Sequence, residues 1–155
     1  MTTSPSDEED EERLIRIVAA IAVNAAGETL LVRKRGTSAF MQPGGKLAEG
    51  ETPLDALERE IFEELGCAIE RVSCRSLGVF RAPAANEPGH RVEAELFAAG
   101  LAGEPRAAGE IVELVWVDPG ADINLPLAPL TRDHAIPLAR DLKRDVSTEN
   151  DSLRL

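Results

Sequence analysis

One short helix, preceded by a glycine-rich loop, constrains the fold of this chain most strongly. Thr52 and Pro53 make a good helix start, because threonine caps the free amides of a first turn and proline suits the first helical position. Gly66 predicts a left-handed cap at the other end. Apolar residues recur at the spacing of a buried stripe: Leu54, Leu57, Ile61 and Leu65. We therefore predict a helix to about Leu65 that packs one face on a core.

The same helix gathers negative charge on another face. At about 100° per residue, Glu60, Glu63 and Glu64 fall within one arc of about 100°. Like charges at this spacing repel one another and weaken an isolated helix. Hard divalent ions such as Mg²⁺ prefer oxygen ligands and would neutralise such a face. The alternative is a solvated acidic face, which is the commoner arrangement when a helix is taken alone.

The segment before the helix, MQPGGKLAEGETP, favours a cation over a solvated face. Its glycines and prolines predict irregular backbone, and adjacent Gly44 and Gly45 let the main chain approach a ligand closely. Arg59 lies between Glu51, at the end of this loop, and the acidic face. We expect Arg59 to pair with Glu51 and to hold the loop against the helix.

The remaining segments read mainly as strands. Strands are predicted at Leu14 to Asn24, at Thr29 to Lys34, and in the segments RVSCRSLGVFRA, RVEAELFAAGL and EIVELVWVD. A closing helix, TRDHAIPLARDLKR, is predicted to be interrupted at Pro137. This order predicts a mixed α/β domain over residues 14–143, between a disordered acidic tail at 1–13 and a disordered tail at 144–155.

Charge and composition narrow the function classes. The net charge is −11, and removing the six acids of residues 7–12 leaves −5. An acidic surface argues against general nucleic-acid binding, which needs a basic footprint. No apolar run is long enough to span a bilayer, and the first residues lack the features of a secretory signal, so we expect a cytoplasmic protein with no membrane partner. Cys67 and Cys74 match no disulfide framework or zinc pattern and are predicted to be buried apolar residues.

The spacing of these residues matches a known motif. Gly45 is followed after five residues by Glu51, and after seven more by REIFEELGC from Arg59 to Cys67. This segment resembles the Nudix box, with cysteine as a weak hydrophobe at its last apolar position. The chain is therefore similar to MutT/Nudix hydrolases over roughly Leu14 to Lys143. The resemblance implies a single-domain α/β/α sandwich around a mixed β-sheet, and metal-dependent hydrolysis of a nucleoside diphosphate linked to another group X.

The resemblance also implies roles for the box residues. Glu60 and Glu64 are expected to be the principal ligands of Mg²⁺ or Mn²⁺, with Glu63 as a third ligand or as the group that orients water. The main-chain carbonyl of Gly44 is a further expected ligand. Glu60 and Glu63 are also counted in the catalytic set.

Two further members of the expected catalytic set are structural. Glu51 and Arg59 are expected to be the pair that sets the loop; an exposed ion pair of little consequence is the alternative.

Residues outside the box complete the expected site. Relatives often add a downstream glutamate as ligand or base, and Glu110 is our first choice, against the alternative of an ordinary exposed acid. Glu113 has opposite side-chain parity on the strand and is not expected to share that role. Lys34 and Arg35 are candidates for phosphate contacts, against the alternative of solvated strand ends. Gln42 is a candidate for reading a base or ribose edge.

Predictions also follow for three other features. Phe40 and Met41 precede the glycine loop and are placed at the pocket floor. Trp116 is expected to pack in the core rather than to stack on a base. The loop at 83–89 is a candidate lid.

The Nudix-box motif does not identify the substrate. Ordinary or oxidised nucleoside triphosphates, ADP-ribose-like conjugates and dinucleotides all contain the required diphosphate. The alternative from another class is a non-catalytic Nudix-fold nucleotide sensor, although such modules usually lose box glutamates. Isopentenyl diphosphate isomerase shares the fold, but its cysteine and glutamate pair outside the box has no counterpart here. A homodimer is a further expectation.

Overall fold

A computed structural model of the protein describes residues 13–153, with side chains to residue 145. The strands are β1 (Leu14–Ile21), β2 (Thr29–Lys34), β3 (Phe40–Met41), β4 (Gly44–Lys46), β5 (Ala68–Pro83), β6 (Arg91–Ala102) and β7 (Ile111–Val117). The helices are α1 (Pro53–Leu65) and α2 (Ile136–Leu153), and a π-helical turn (Thr131–Ala135) leads into α2. Apart from Arg13, the predicted acidic tail lies outside the described residues.

The strands form two sheets. The four-stranded sheet has the order β4-β1-β6-β5, and the three-stranded sheet has the order β3-β2-β7. Strand β1 is parallel to β6 and antiparallel to β4, so the larger sheet is mixed. Every other pairing is antiparallel between named strands of the described chain.

Helices cover both sides of this sheet because alternate residues of β1 face opposite ways. Val18 and Ala20 join a buried cluster with the apolar stripe of α1. Ala19 and Ile21 join a second cluster, which contains Ala139 of α2. The predicted α/β/α arrangement around a mixed sheet is confirmed.

Helix α1 has the predicted boundaries and caps. The side chain of Thr52 accepts a hydrogen bond from the Asp55 amide at 3.2 Å, and such a cap contributes about 1 kcal/mol. Gly66 adopts a left-handed φ of 66° and donates its N–H to the Phe62 carbonyl. These caps fix where the helix begins and ends, and therefore which residues share its acidic face.

Two predictions for the N-terminal half of the chain are wrong. Strand β1 ends at Ile21 rather than Asn24, because the Asn24 side chain accepts hydrogen bonds from the amides of Ala26 and Glu28 and forms a turn. The glycine loop is not wholly irregular, since β4 pairs with β1 in the register Val18 to Gly45.

The C-terminal segment also differs from the prediction. Pro137 does not interrupt the helix, because the π-helical turn before it closes through a hydrogen bond from the Ile136 amide to the Thr131 carbonyl. Helix α2 then continues to Leu153, so residues 144–153 are helical rather than a disordered tail. Within the described part of the chain, no helix combines the length and the apolar character needed to cross a bilayer.

Candidate active site

A cleft of about 770 Å³ collects most of the predicted site residues. Helix α1 supplies three of its acidic side chains, and the glycine loop, the start of loop 83–89 and the segment before α2 supply other parts of the wall. The predicted residues in its wall are Lys34, Gln42, Gly44, Glu60, Glu63, Glu64 and Glu110. Residues 34 and 110 are far apart in sequence, so tertiary folding brings these charges together.

Glu64 is the most constrained of these acids. Its side chain is buried, with 6% of the residue exposed, and both carboxylate oxygens accept from the Gly44 amide at 3.2 and 3.3 Å. Burial raises the pKa of Glu64 to about 8. The Gly44 amide and the Lys34 charge oppose this rise in pKa, whereas the carboxylates of Glu60 and Glu110 add to it. A buried carboxylate surrounded by like charges is the arrangement that a cation stabilises.

The two glycines leave room for this arrangement. A Cβ atom on Gly45 would lie 2.4 Å from the carboxylate carbon of Glu60, and a Cβ on Gly44 would lie 2.1 Å from the Val18 carbonyl oxygen. At Gly44 the obstructing atoms belong to the backbone of β1, so no side chain fits and glycine is required for the loop to pack there. At Gly45 a Cβ atom would displace the Glu60 carboxylate from its position at the cleft.

Arg59 and Glu51 form the predicted pair. Arg59 donates from Nε to Glu51 Oε2 at 2.9 Å and from Nη2 to Oε1 at 2.8 Å. The Ala48 amide also donates to Glu51, and Arg59 reaches the Lys46 carbonyl, so the pair ties both ends of the loop to α1. Hydrogen bonding to Arg59 lowers the pKa of Glu51 to about 2. Neither side chain lines the cleft, and this geometry suits a positioning role.

Arg59 also contacts the acidic face itself. Its Nη1 atom lies 2.8 Å from Glu60 Oε1 and 3.7 Å from Glu63 Oε2. One guanidinium therefore shares its charge between the loop and the helix. A cation that binds through Glu60 must share this carboxylate with Arg59 or draw it away.

Glu110 and Glu113 lie in different surroundings. Glu110 lines the cleft, and the loop before it is held to the end of α1 by a hydrogen bond from the Ala108 amide to the Glu64 carbonyl at 2.9 Å. Glu113 instead pairs with Arg33 across β2 and β7 at 2.9 Å. Their opposite parity on the chain separates the two carboxylates, and only Glu110 belongs to the cleft.

Only some of the other predicted contact residues line the cleft. Lys34 lines the cleft, whereas Arg35 does not, because successive side chains at a strand end point in different directions. Met41 lines the cleft, but the placement of Phe40 at the pocket floor is wrong, since Phe40 is buried in a cluster with Leu31 and Ile136.

The predictions of buried residues are confirmed only in part. Trp116 packs against the main core, as predicted. Cys67 is buried as predicted, but Cys74 is only partly buried.

Sequence reasoning missed several residues of the cleft. Thr131 lies in its wall and donates a hydrogen bond to Gln42 Oε1 at 2.8 Å. Asn86 and Glu87, in the predicted lid loop, also line the cleft, and Glu87 lies 3.6 Å from Lys46 Nζ. Thr131 carried no local signal, because its partner is 89 positions away.

The donor chemistry of the cleft fits a hard divalent cation. Ionised glutamates offer only acceptor oxygens, and five glutamates line the cleft together with Gly44. Among residues 13–145, no three acidic, histidine or cysteine side chains already converge on one point.

Comparison with known proteins agrees with the fold. The family model described as the NUDIX domain matches residues 13–139. A putative 8-oxo-dGTP diphosphatase of Bacillus subtilis is 32% identical over 108 residues, which cover 69% of this chain and 66% of that protein. An RNA pyrophosphohydrolase of a Psychrobacter species is 43% identical over 49 residues, which cover 32% of this chain and only 28% of that protein.

Solved structures show the same relationship. The crystal structure of a MutT NUDIX hydrolase from Burkholderia pseudomallei superposes with a TM-score of 0.66 at 29% identity, covering 83% of this chain and 96% of that chain. The family model covers well over half of the sequence and includes the whole glycine loop and α1. The protein is a member of the Nudix family.

Proposed function

We propose that this protein is a divalent-cation-dependent pyrophosphohydrolase that cleaves the diphosphate of a nucleotide derivative. The observation that carries the proposal is the position of Glu64, buried beside Gly44 in a cleft that also contains Glu60, Glu63, Glu110 and two lysines. The names of the relatives from Bacillus and Psychrobacter support a substrate of this class.

The proposed roles follow from the positions of the side chains. Glu60 and Glu64 would hold Mg²⁺ or Mn²⁺, with Glu63 and the Gly44 carbonyl as further ligands. Such an ion, when bound, neutralises phosphate charge and lowers the pKa of coordinated water. Lys34 lines the same cleft and supplies a point charge for the phosphate oxygens.

Glu110 is the proposed general base. The oxygen of the attacking water bonds to one phosphorus atom, the bridging oxygen leaves with the other phosphate, and the proton of the water passes to the Glu110 carboxylate. Glu51 and Arg59 keep the glycine loop in place and do not touch the reacting atoms in this proposal. A cytoplasmic location, where nucleotides and magnesium occur together, forms part of the proposal.

A substrate panel tests the reaction. Purified protein is incubated with Mg²⁺ or Mn²⁺ and with nucleoside triphosphates, ADP-ribose, a dinucleotide and a short 5′-triphosphorylated RNA, and release of phosphate, pyrophosphate and nucleoside monophosphate is followed. Glu64→Gln should lower kcat at least a hundredfold. Glu58→Gln is the matched control, because Glu58 lies on the same helix but faces Arg71 outside the cleft at 3.6 Å.

Two results would refute the proposal. Hydrolysis by Glu64→Gln as fast as by the wild type would show that Glu64 does not belong to the active site. A wild type that turns over no substrate yet binds a nucleotide without metal would favour a non-catalytic sensor.

A further inference from the structure

The cleft contains a polar group that the proposed hydrolysis does not use. Gln42 lines the cleft and is only 5% exposed, and its Nε2 atom is buried with no hydrogen-bond partner among the described residues. Buried amide groups in folded proteins are nearly always hydrogen bonded. An unpaired donor in a cleft wall is available to a ligand atom that accepts from it.

Thr131 fixes which end of the amide is available. Its hydroxyl donates to Gln42 Oε1 at 2.8 Å, and Thr131 is fully buried. The residue begins the π-helical turn, whose backbone is anchored by hydrogen bonds from Arg132 to Ala128 and from Ile136 to Thr131. Because the carbonyl end of Gln42 is occupied, the amino end is the one left for a ligand.

The wall that accompanies this amide is aliphatic. Residues of β1 and of the segment before α2, namely Ile15, Ile17, Ala19, Ala128 and Leu130, line the cleft together with Met41. The glutamates come from α1, from the loop before β7 and from loop 83–89. A flat base can cover an apolar wall and satisfy one donor, whereas a second sugar would bring several hydroxyl groups that need partners.

We propose that Gln42, held by Thr131, reads the base of the nucleotide by donating from Nε2 to a carbonyl oxygen. This inference rests on the proposed function and narrows its substrate to nucleotides with a keto base. Gln42 is then a specificity residue that touches the base, and Thr131 is a positioning residue that acts through Gln42.

Matched nucleotide pairs test the proposal. ITP and ATP differ by a keto or an amino group at one position of the purine, and UTP and CTP differ in the same way on the pyrimidine. The wild type should prefer the keto member of at least one pair by tenfold or more in kcat/KM, since a site built to donate a hydrogen bond leaves its donor unpaired against an amino group.

Three variants separate a reading role from a structural one. Gln42→Glu replaces the donor with an acceptor and should remove or reverse the preference for the keto member. Thr131→Val removes the hydroxyl that orients the amide and should bring the ratio toward one, mainly through KM rather than kcat. Thr131→Ser restores a hydroxyl and should restore the ratio. Thermal melting checks that each variant folds, and the valine and serine variants decide the matter if Gln42→Glu does not fold.

The outcomes distinguish this inference from the proposed function. If the wild type hydrolyses both members of each pair equally, or if Gln42→Glu and Thr131→Val keep the wild-type ratio, base reading by Gln42 is wrong while hydrolysis stands. If no nucleotide is hydrolysed, the proposed function fails, and calorimetric binding of ITP against ATP decides the inference alone. Equal affinities in that titration would overturn it.

Discussion

Replacing Glu64 by glutamine should stabilise the metal-free protein at neutral pH. The pKa of Glu64 rises from 4.5 to about 8 on folding because the carboxyl is buried. The folded state therefore binds this proton more tightly than the unfolded state does. The favourable contribution is fully present below pH 4.5 and is lost as the pH rises towards 8. Glutamine keeps an oxygen to accept from the Gly44 amide and takes no part in this titration.

The size of the effect follows from the pKa shift. Each pH unit between the two pKa values costs the wild type about 1.4 kcal/mol. At pH 7 the wild type has lost about 3 kcal/mol, and at pH 5 it has lost less than about 1 kcal/mol. For a domain of this length, a difference of about 3 kcal/mol corresponds to roughly 6–12 °C in Tm.

Urea unfolding in EDTA measures this difference directly. The free energy of unfolding of Glu64→Gln minus that of the wild type should increase by about 2.5 kcal/mol between pH 5 and pH 7. Glu58→Gln is the control on the same helix and should show no comparable increase. A difference between Glu64→Gln and the wild type that stays constant over this range would refute the claim that burial disfavours the ionised form of Glu64.

Three other substitutions probe the loop and the cleft. Gly45→Ala should lower turnover at least tenfold, because its Cβ would collide with the Glu60 carboxylate; steady-state kinetics at saturating metal would show it, and wild-type kcat would contradict it. Glu51→Gln should speed amide hydrogen exchange across residues 46–51, since the bidentate contact is broken; unchanged exchange would mean that the pair does not hold the loop. Glu87→Gln removes the 3.6 Å contact to Lys46 and should change KM more than kcat, and its KM should depend less on salt than that of the wild type. An identical salt dependence of KM would mean that this ion pair does not hold loop 83–89 in place.

Helix α1 could be predicted from sequence because its signals are local. The cap at Thr52, the glycine at position 66 and the apolar stripe lie within fifteen consecutive residues. Each signal agrees with the others, so few alternatives remain. The acidic face follows from the same geometry, since the spacing of Glu60 and Glu64 fixes their directions once the helix is known.

The features that were missed depend on contacts between distant segments. The pairing of β4 with β1 follows from close packing of two glycines on Ala19 and Val18, which no propensity for glycine indicates. The hydrogen bond between Gln42 and Thr131 joins positions 89 apart. Such contacts are set by how the layers pack.

The C-terminal helix was underestimated for a local reason. The residues after Lys143 are mostly polar, with Val146 and Leu153 as the apolar exceptions before the end of the helix, so no buried stripe marks them as helical. The helix that contains Ala139 and Leu142 packs on the sheet and continues to Leu153. Propagation from a formed helix needs less sequence information than nucleation does.

Equilibrium binding of Mn²⁺ tests the central claim most directly, namely that the acidic face of α1 binds a divalent cation. Electron paramagnetic resonance at pH 8 counts bound ions in the wild type, Glu64→Gln and Glu58→Gln without any turnover. We expect the wild type and Glu58→Gln to bind Mn²⁺ with similar affinity and Glu64→Gln to bind at least tenfold more weakly. Equal binding by all three proteins, or none by the wild type, would contradict the account.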